Sequence, residues 1–363
     1  MNMILKSLSA WSEREAQCLE TLLSERQVPL LKAGSVSEWE ALRPSVLETF
    51  ENMVYGKQLP PPDEVLYRDV TPKGGVFMAG HAIRHRVEVM ARRDGREAVF
   101  PFEIAIPKTV SAPFPAFVSL NFEPGMLYKY QPTEEIIDNG FAIAGVCYQD
   151  IASDDGDFTN GLAAIYYTAS DLAEDGLPKE KNVPGKIGLW ALGASLVLDY
   201  LLTMPQIDPS RVAVIGHSRL GKTALWAGAL DTRFAAVISN DSGCGGASVS
   251  RGKKGETIRK LTDRFPYWFC RSYRAFADHE FEAPFDQHML LSLSAPRCLL
   301  VGSASLDEWA DPEAEELSLY AASRIYDLYP EGSADRICYH LRDGEHYLSR
   351  HDWQVYMDFL KTR

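Results

Sequence analysis

Ser218 stands two residues after Gly216, where a run of β-branched residues gives way to a helical pattern, and this is the first place the sequence offers chemistry. The segment Val212-Ala213-Val214-Ile215-Gly216-His217-Ser218-Arg219-Leu220-Gly221-Lys222-Thr223 reads as strand, tight turn and helix. A serine hydroxyl becomes a useful nucleophile in that setting. The sharp turn pushes Oγ into a cleft, and the first N–H groups of the helix can receive a developing oxyanion. Gly216 leaves room for the turn, but the second glycine of the G-x-S-x-G pattern is absent: Leu220 stands there and Gly221 comes one later. The same residues also spell G-x-x-x-x-G-K-T, the phosphate-cradling P-loop, and the strand Ala236-Val237-Ile238 ending near Asp241 could imitate its acidic magnesium-site strand. The late position of the motif, behind several strands, favours the nucleophile, as does a Ser, acid, His order completed downstream. A serine that merely caps a helix would leave Arg219 and Lys222 without a purpose.

A base for Ser218 is expected in the loop after the last strand. Arg336 to Leu341 reads as that strand, and His346 follows it in Arg342-Asp343-Gly344-Glu345-His346. His351, at the start of the final helix, reads as a solvated or capping residue. His217, His279 and His288 are secondary candidates for substrate contact or packing, and His217, adjoining Ser218, is expected to point away from the base. The acid should follow the strand Arg297 to Gly302. There Asp307 is placed on the loop, whereas Asp311 precedes Pro312 and reads as a helix N-cap. Asp241, at the end of the preceding strand, is the alternative acid; an Asx-type turn before a glycine-rich loop explains it equally well. Either acid would hold the imidazole tautomer and stabilise the imidazolium.

These side chains need a framework, and the apolar periodicity supplies one. Residues 1–62 read as a helical N-terminal extension closed by Pro60-Pro61-Pro62, and residues 63–363 as the catalytic domain. Short alternating runs from about 64 to 106 predict antiparallel strands, and Pro115 to Leu120 a central strand. After them strands alternate with helices: Phe141 to Tyr148, then the helix Lys186 to Met204, the strand Arg211 to Gly216, the helix Leu220 to Leu230 and the strand Ala235 to Ser239. The pattern continues with helices Phe285 to Ser294, Pro312 to Leu328 and Asp352 to Lys361 around the two strands already named. This order predicts an α/β fold: a mixed, mostly parallel sheet flanked by helices on both faces. The acidic, turn-rich stretch 149–185 predicts an insertion over the active face.

Bulk properties narrow the partners. A formal net charge of -13 argues against nucleic acid or an anionic membrane. No apolar run is long enough to span a bilayer, and the opening MNMILKSLSAWSEREAQ lacks the apolar core of a secretory signal, so a cytoplasmic protein is expected. The six scattered cysteines form no C-x-x-C pair; four of them read as buried thiols, and neither metal nor organic cofactor is expected.

The runs GHSRLGKTALWAGALDTRFA and NDSGCGGASVSR, with FPYWFC, PFDQHMLLSLSAPR and DEWADPEAE later on, resemble the glucuronoyl esterases of carbohydrate esterase family fifteen, above all their bacterial branch. The likeness is strongest from about residue 186 onward and implies the α/β-hydrolase fold. It implies Ser218 as nucleophile and His346 as base. Arg219 would stabilise the oxyanion through backbone and side chain. Lys222 would contact glucuronate hydroxyls, with Glu256 and Trp309 as further sugar contacts. Family members differ in where the acid sits: Asp307 matches one location, and Asp241 replaces the glutamate of the other. Asp is one methylene shorter than Glu, which favours Asp307. Fungal members carry cysteines next to the nucleophile and the base, where this chain has His217 and Tyr347, so their disulfide is not expected here. The implied reaction is hydrolysis of a glucuronic acid ester through a Ser-His-Asp triad, with the Asn121-Phe122 loop as a further oxyanion contributor. A small carbohydrate ester or oligosaccharide is the implied substrate. An acetyl-sugar esterase on the same scaffold and a P-loop nucleotide binder are the rival readings.

Overall fold

The computed structural model describes residues 4–7, 11–72, 75–108, 111–330 and 334–362. Residues 1–3 and 8–10 of the expected helical extension lie outside them. Among the described residues, eleven strands form one mixed sheet in the order β1-β11-β10-β9-β8-β6-β7-β5-β4-β2, with β3 paired to β4. Its parallel centre comprises β6 (Phe114–Asn121), β7 (Ala142–Cys147), β8 (Ile207–His217), β9 (Ala236–Asn240), β10 (Cys298–Ala304) and β11 (Ile337–Arg342). The antiparallel flank is β2 (Glu64–Asp69), β3 (Val76–Phe77), β4 (Ala82–Arg93) and β5 (Arg96–Pro107).

The central strands are buried on both faces, so they read as continuous apolar runs rather than alternating ones. Their side chains nonetheless part by strict alternation. Val118, Val214 and Val237 enter one core beneath the helices α6 (Lys186–Leu201) and α7 (Arg219–Leu230). Phe117, Ile215 and Ile238 enter a second core on the opposite face, closed by Trp353, Tyr356 and Met357 of α11 (Arg350–Lys361). Helices therefore cover both faces, as the strand–helix alternation predicts.

The N-terminal region departs from its all-helical reading. It holds α1 (Glu13–Glu25) and α2 (Val36–Met53), but Ile4–Ser7 is a strand, β1, antiparallel to β11 at the sheet's edge. Four residues are too few for periodicity to separate strand from helix; the free edge of β11 decides the matter by supplying a partner. Leu19 and Leu23 of α1 pack on Leu317 and Ala321 of α10 (Pro312–Tyr326), and α2 sinks Trp39 and Phe50 into the main core. Beyond α2, Tyr55 stacks on Trp226 of α7 with ring centroids 4.6 Å apart, and its hydroxyl donates to the Gly245 carbonyl at 2.6 Å.

Candidate active site

Strand β8 turns into helix α7 through a single residue. Ser218 has φ 58° and ψ -126°, a left-handed conformation that non-glycine residues rarely adopt. Its backbone is held there: the Ser218 N–H donates to Asn240 O at 2.8 Å, and its carbonyl accepts the N–H groups of Gly221 and Lys222. Gly216 is required by the turn, since a Cβ there would lie 2.1 Å from the Leu220 carbonyl oxygen. This geometry removes the P-loop reading. Residues 216–221 are a strand end and the first turn of a helix, with no open loop to wrap a phosphate. Lys222, moreover, is buried with Nζ 2.6 Å from Ser242 O and 3.0 Å from Glu256 Oε2.

Ser218 opens onto a cleft of about 180 Å³, which it lines together with Arg219, Lys222, Asp241, Glu256, Trp309 and His346, among others. His346 lies exposed on the loop after β11, and its Nδ1 is 2.6 Å from Oδ2 of Asp307, which is itself buried. Burial alone would raise the Asp307 pKa, but the hydrogen bond and charge of His346, with a further bond from the Ala310 N–H, bring it below the usual carboxylate value. Of the two candidate acids, Asp307 is the one bonded to the imidazole. Asp241 is equally buried but turns elsewhere. Its Oδ2 is 3.4 Å from the Arg342 guanidinium, and its Oδ1 has no hydrogen-bond partner. Burial, then the negative charges of Glu315 and Asp307, push its pKa well above the ordinary value.

His217 reverses its expected orientation. Its ring lies 4.5 Å, centroid to centroid, from that of His346 instead of pointing away. Side-chain alternation along a strand predicts opposite faces for neighbours, but the positive φ of Ser218 ends the pleat, so the His217 ring lies against His346 while Ser218 and His346 line the same cleft. Buried and facing His346, His217 has its pKa lowered to about 3 and remains neutral. His217, Asp241 and His346 place one potential ligand atom each within 4.8 Å of one another. A cation has little to gain there, because the Arg342 guanidinium already faces Asp241 and His217 Nδ1 is 2.6 Å from Asn240 Oδ1. Of the other histidines, His279 is exposed beside Glu282, His288 is buried away from the cleft, and His351 sits in the first turn of α11, whose cap is Ser349. Asp311 caps α10, its carboxylate accepting from the Ala314 N–H at 3.3 Å. All six cysteines are free thiols, and only Cys18 is exposed.

The Arg219 side chain is fixed by a residue that the sequence alone does not single out. Asp154, in the 149–185 stretch, forms an ion pair with Arg219 Nη1 through Oδ2, which also accepts from the Tyr148 hydroxyl at 2.7 Å. The Trp268 indole N–H donates to Oδ1 at 2.7 Å, and the Arg219 guanidinium lies 4.6 Å over the Trp268 ring. Arg219 Nε is buried with no partner, a donor left open. The Asn121-Phe122 loop, by contrast, spends its groups on itself. Asn121 Nδ2 donates to Gln131 Oε1 at 2.9 Å, and the Phe122 N–H to the Tyr128 hydroxyl at 3.4 Å. Farther along the cleft, Glu256 accepts from Lys222 through one oxygen and from the Trp309 indole N–H through the other, at 3.2 Å. Trp309 is 44% exposed, which leaves a ring face open to a ligand.

A serine at a strained turn, lining one cleft with a carboxylate-bound imidazole, suits acyl transfer. Comparison with known proteins agrees. A family model described as the fungal glucuronyl esterase matches residues 89–329. A carbohydrate esterase from an unknown prokaryotic organism is 35% identical, over 90% of this chain and 86% of its own length. The solved glucuronoyl esterase from Solibacter usitatus is 32% identical and superposes with a TM-score of 0.82, covering 92% of this chain and 96% of that one. A promiscuous family-fifteen esterase from a marine bacterial metagenome is 34% identical with a TM-score of 0.78, over the same shares. The chain belongs to the glucuronoyl esterases of carbohydrate esterase family fifteen, α/β-hydrolase enzymes that cleave carboxylic esters of carbohydrates.

Proposed function

We propose that this enzyme hydrolyses an ester of glucuronic acid with methanol or an aryl alcohol, using Ser218, His346 and Asp307. The observation that carries the reading is the 2.6 Å bond between His346 and Asp307 beside a cleft that Ser218 enters at positive φ. His346 takes the Ser218 proton as Oγ attacks the ester carbonyl carbon. The carbonyl oxygen, now negative, is received by the first-turn N–H groups of α7 and by the Arg219 side chain. His346 returns the proton to the departing alcohol. A water molecule then attacks the acyl-serine by the same route and frees the acid. Lys222 and Glu256 offer a donor and an acceptor to sugar hydroxyls, and the exposed Trp309 ring offers an apolar face to the pyranose. The names of the relatives support a glucuronoyl ester over an acetyl one.

The test compares the enzyme with Ser218→Ala on benzyl glucuronate, 4-nitrophenyl acetate and acetylated xylan. The variant should fold and lose on the order of a thousandfold or more in rate. Unchanged turnover in Ser218→Ala rejects the nucleophile; a preference for the acetyl substrates replaces the glucuronoyl reading with the acetyl-sugar one.

A further inference from the structure

The residue just before Ser218 and the residue just after His346 both rest against one ring, that of Tyr130. His217 approaches it with centroids 5.1 Å apart, and Tyr347 meets it edge-on at 4.9 Å. Tyr130 belongs to the loop between β6 and the helix α3 (Thr133–Asp138), and that loop is firmly tied. The Trp353 indole N–H donates to Tyr130 O at 2.7 Å, and Thr133 Oγ1 to Met126 O at 2.6 Å. His217 is equally fixed. Asn240 Nδ2 donates to the Tyr356 hydroxyl at 3.0 Å, which leaves Asn240 Oδ1 to accept from His217 Nδ1. Neutral in that state, the His217 ring lies against His346 without like-charge repulsion when the base takes up its proton.

His346 itself has weaker support. Arg342 holds the backbone of this loop through the Glu345 and Tyr347 carbonyls, but Glu345, His346 and Tyr347 are all exposed, and the imidazole itself is held by the bond to Asp307, about which it can still swing. Proton transfer tolerates little such freedom, since misplacement by about 1 Å can lose about a hundredfold in rate. We propose that Tyr130 is a positioning residue: lodged between His217 and Tyr347, its ring fixes the separation of the nucleophile's turn from the base's loop. The proposal rests on the Ser218–His346 reading above. None of the three rings lines the cleft, so the brace acts on the rate of the chemical step and leaves substrate binding alone.

The test is steady-state kinetics on benzyl glucuronate. Tyr130→Ala should lower kcat about tenfold or more with KM within about twofold, and Tyr130→Phe, which keeps the ring, should retain at least about half of kcat. Tyr347→Ala should reproduce the loss, and the double variant should be no worse than the larger single one, because both break the same brace. Four results would each overturn the proposal: Tyr130→Ala with kcat within about twofold of the parent, Tyr130→Phe as damaged as Tyr130→Ala, a loss carried by KM, or additive losses in the double variant. If Tyr130→Ala does not fold, Tyr347→Ala decides alone, by the same kcat and KM criteria, since Tyr347 is surface-exposed. Ser218→Ala run alongside separates the two readings: an inactive Ser218→Ala with an unimpaired Tyr130→Ala rejects the brace and leaves the triad standing.

Discussion

Asp241 and Asp307 follow neighbouring parallel strands, β9 and β10, and both are sealed from solvent beside the same imidazole. They differ in what each oxygen meets. Asp307 takes a bond from His346 and another from the Ala310 N–H, so its charge is solvated by fixed donors. Asp241 meets a guanidinium at 3.4 Å on one oxygen and nothing on the other, and two further carboxylates stand nearby. Burial in that position favours the protonated form of the carboxyl. The comparison teaches that depth and closeness to an imidazole do not suit a carboxyl to orient it; donors aimed at the carboxylate do. Asp154 makes the point a third time. Its carboxylate, 9% exposed, is held in place because Arg219, Tyr148 and Trp268 converge on it.

The largest effect should come from Asp307→Asn. An amide there can no longer hold the His346 tautomer or balance the imidazolium, and kcat should fall on the order of a thousandfold or more with the fold intact. A loss under about tenfold would mean that another group orients the base, with Asp241 the first suspect. Asp154→Asn should come next. Losing an oxyanion donor outright gives about a hundredfold to a thousandfold, so loosening one should lower kcat by roughly ten- to a hundredfold with little change in KM. In an Arg219→Ala background the same substitution should add almost nothing, because its effect passes through Arg219. Full additivity in that cycle would make Asp154 a structural residue alone.

How far these roles could be read in advance follows the range of the contacts. Local signals were legible: the strand-turn-helix around Ser218, the Asp311-Pro312 cap of α10, and the loop positions that bring Asp307 to His346. So was the sheet, because its central strands are apolar enough to be unmistakable. Asp154 was not, since its partners Arg219 and Trp268 lie 65 and 114 residues further along the chain and the acidic stretch around it looks like a solvated loop. His217 was misjudged for another reason. Strand alternation is a rule about regular backbone, and it fails at the one residue whose φ is 58°. The strand Ile4–Ser7 was invisible because its partner on β11 lies at the far end of the chain.

The smallest effect on turnover should belong to Asp241→Asn, and it reads the comparison from the other side. If Asp241 carries a proton in the folded enzyme, an amide imitates it, and kcat should stay within about threefold of the parent. Stability is the more telling measurement. The raised folded pKa means that the unfolded chain releases this proton first, from about pH 4 upward, so Asp241 destabilises the fold increasingly as pH rises from there toward its folded pKa. Asparagine does not titrate and escapes that loss. The variant should therefore match the parent near pH 4 and melt higher at neutral pH, by about 1 °C for a change of about 1 kcal/mol at this chain length. Arg342 keeps its bonds to Asp352 and to the Glu345 carbonyl, so the base's loop should hold. A lower Tm at neutral pH, with kcat down a hundredfold, would mean instead that Asp241 is ionised and paired, and that the two aspartates share the work of one acid.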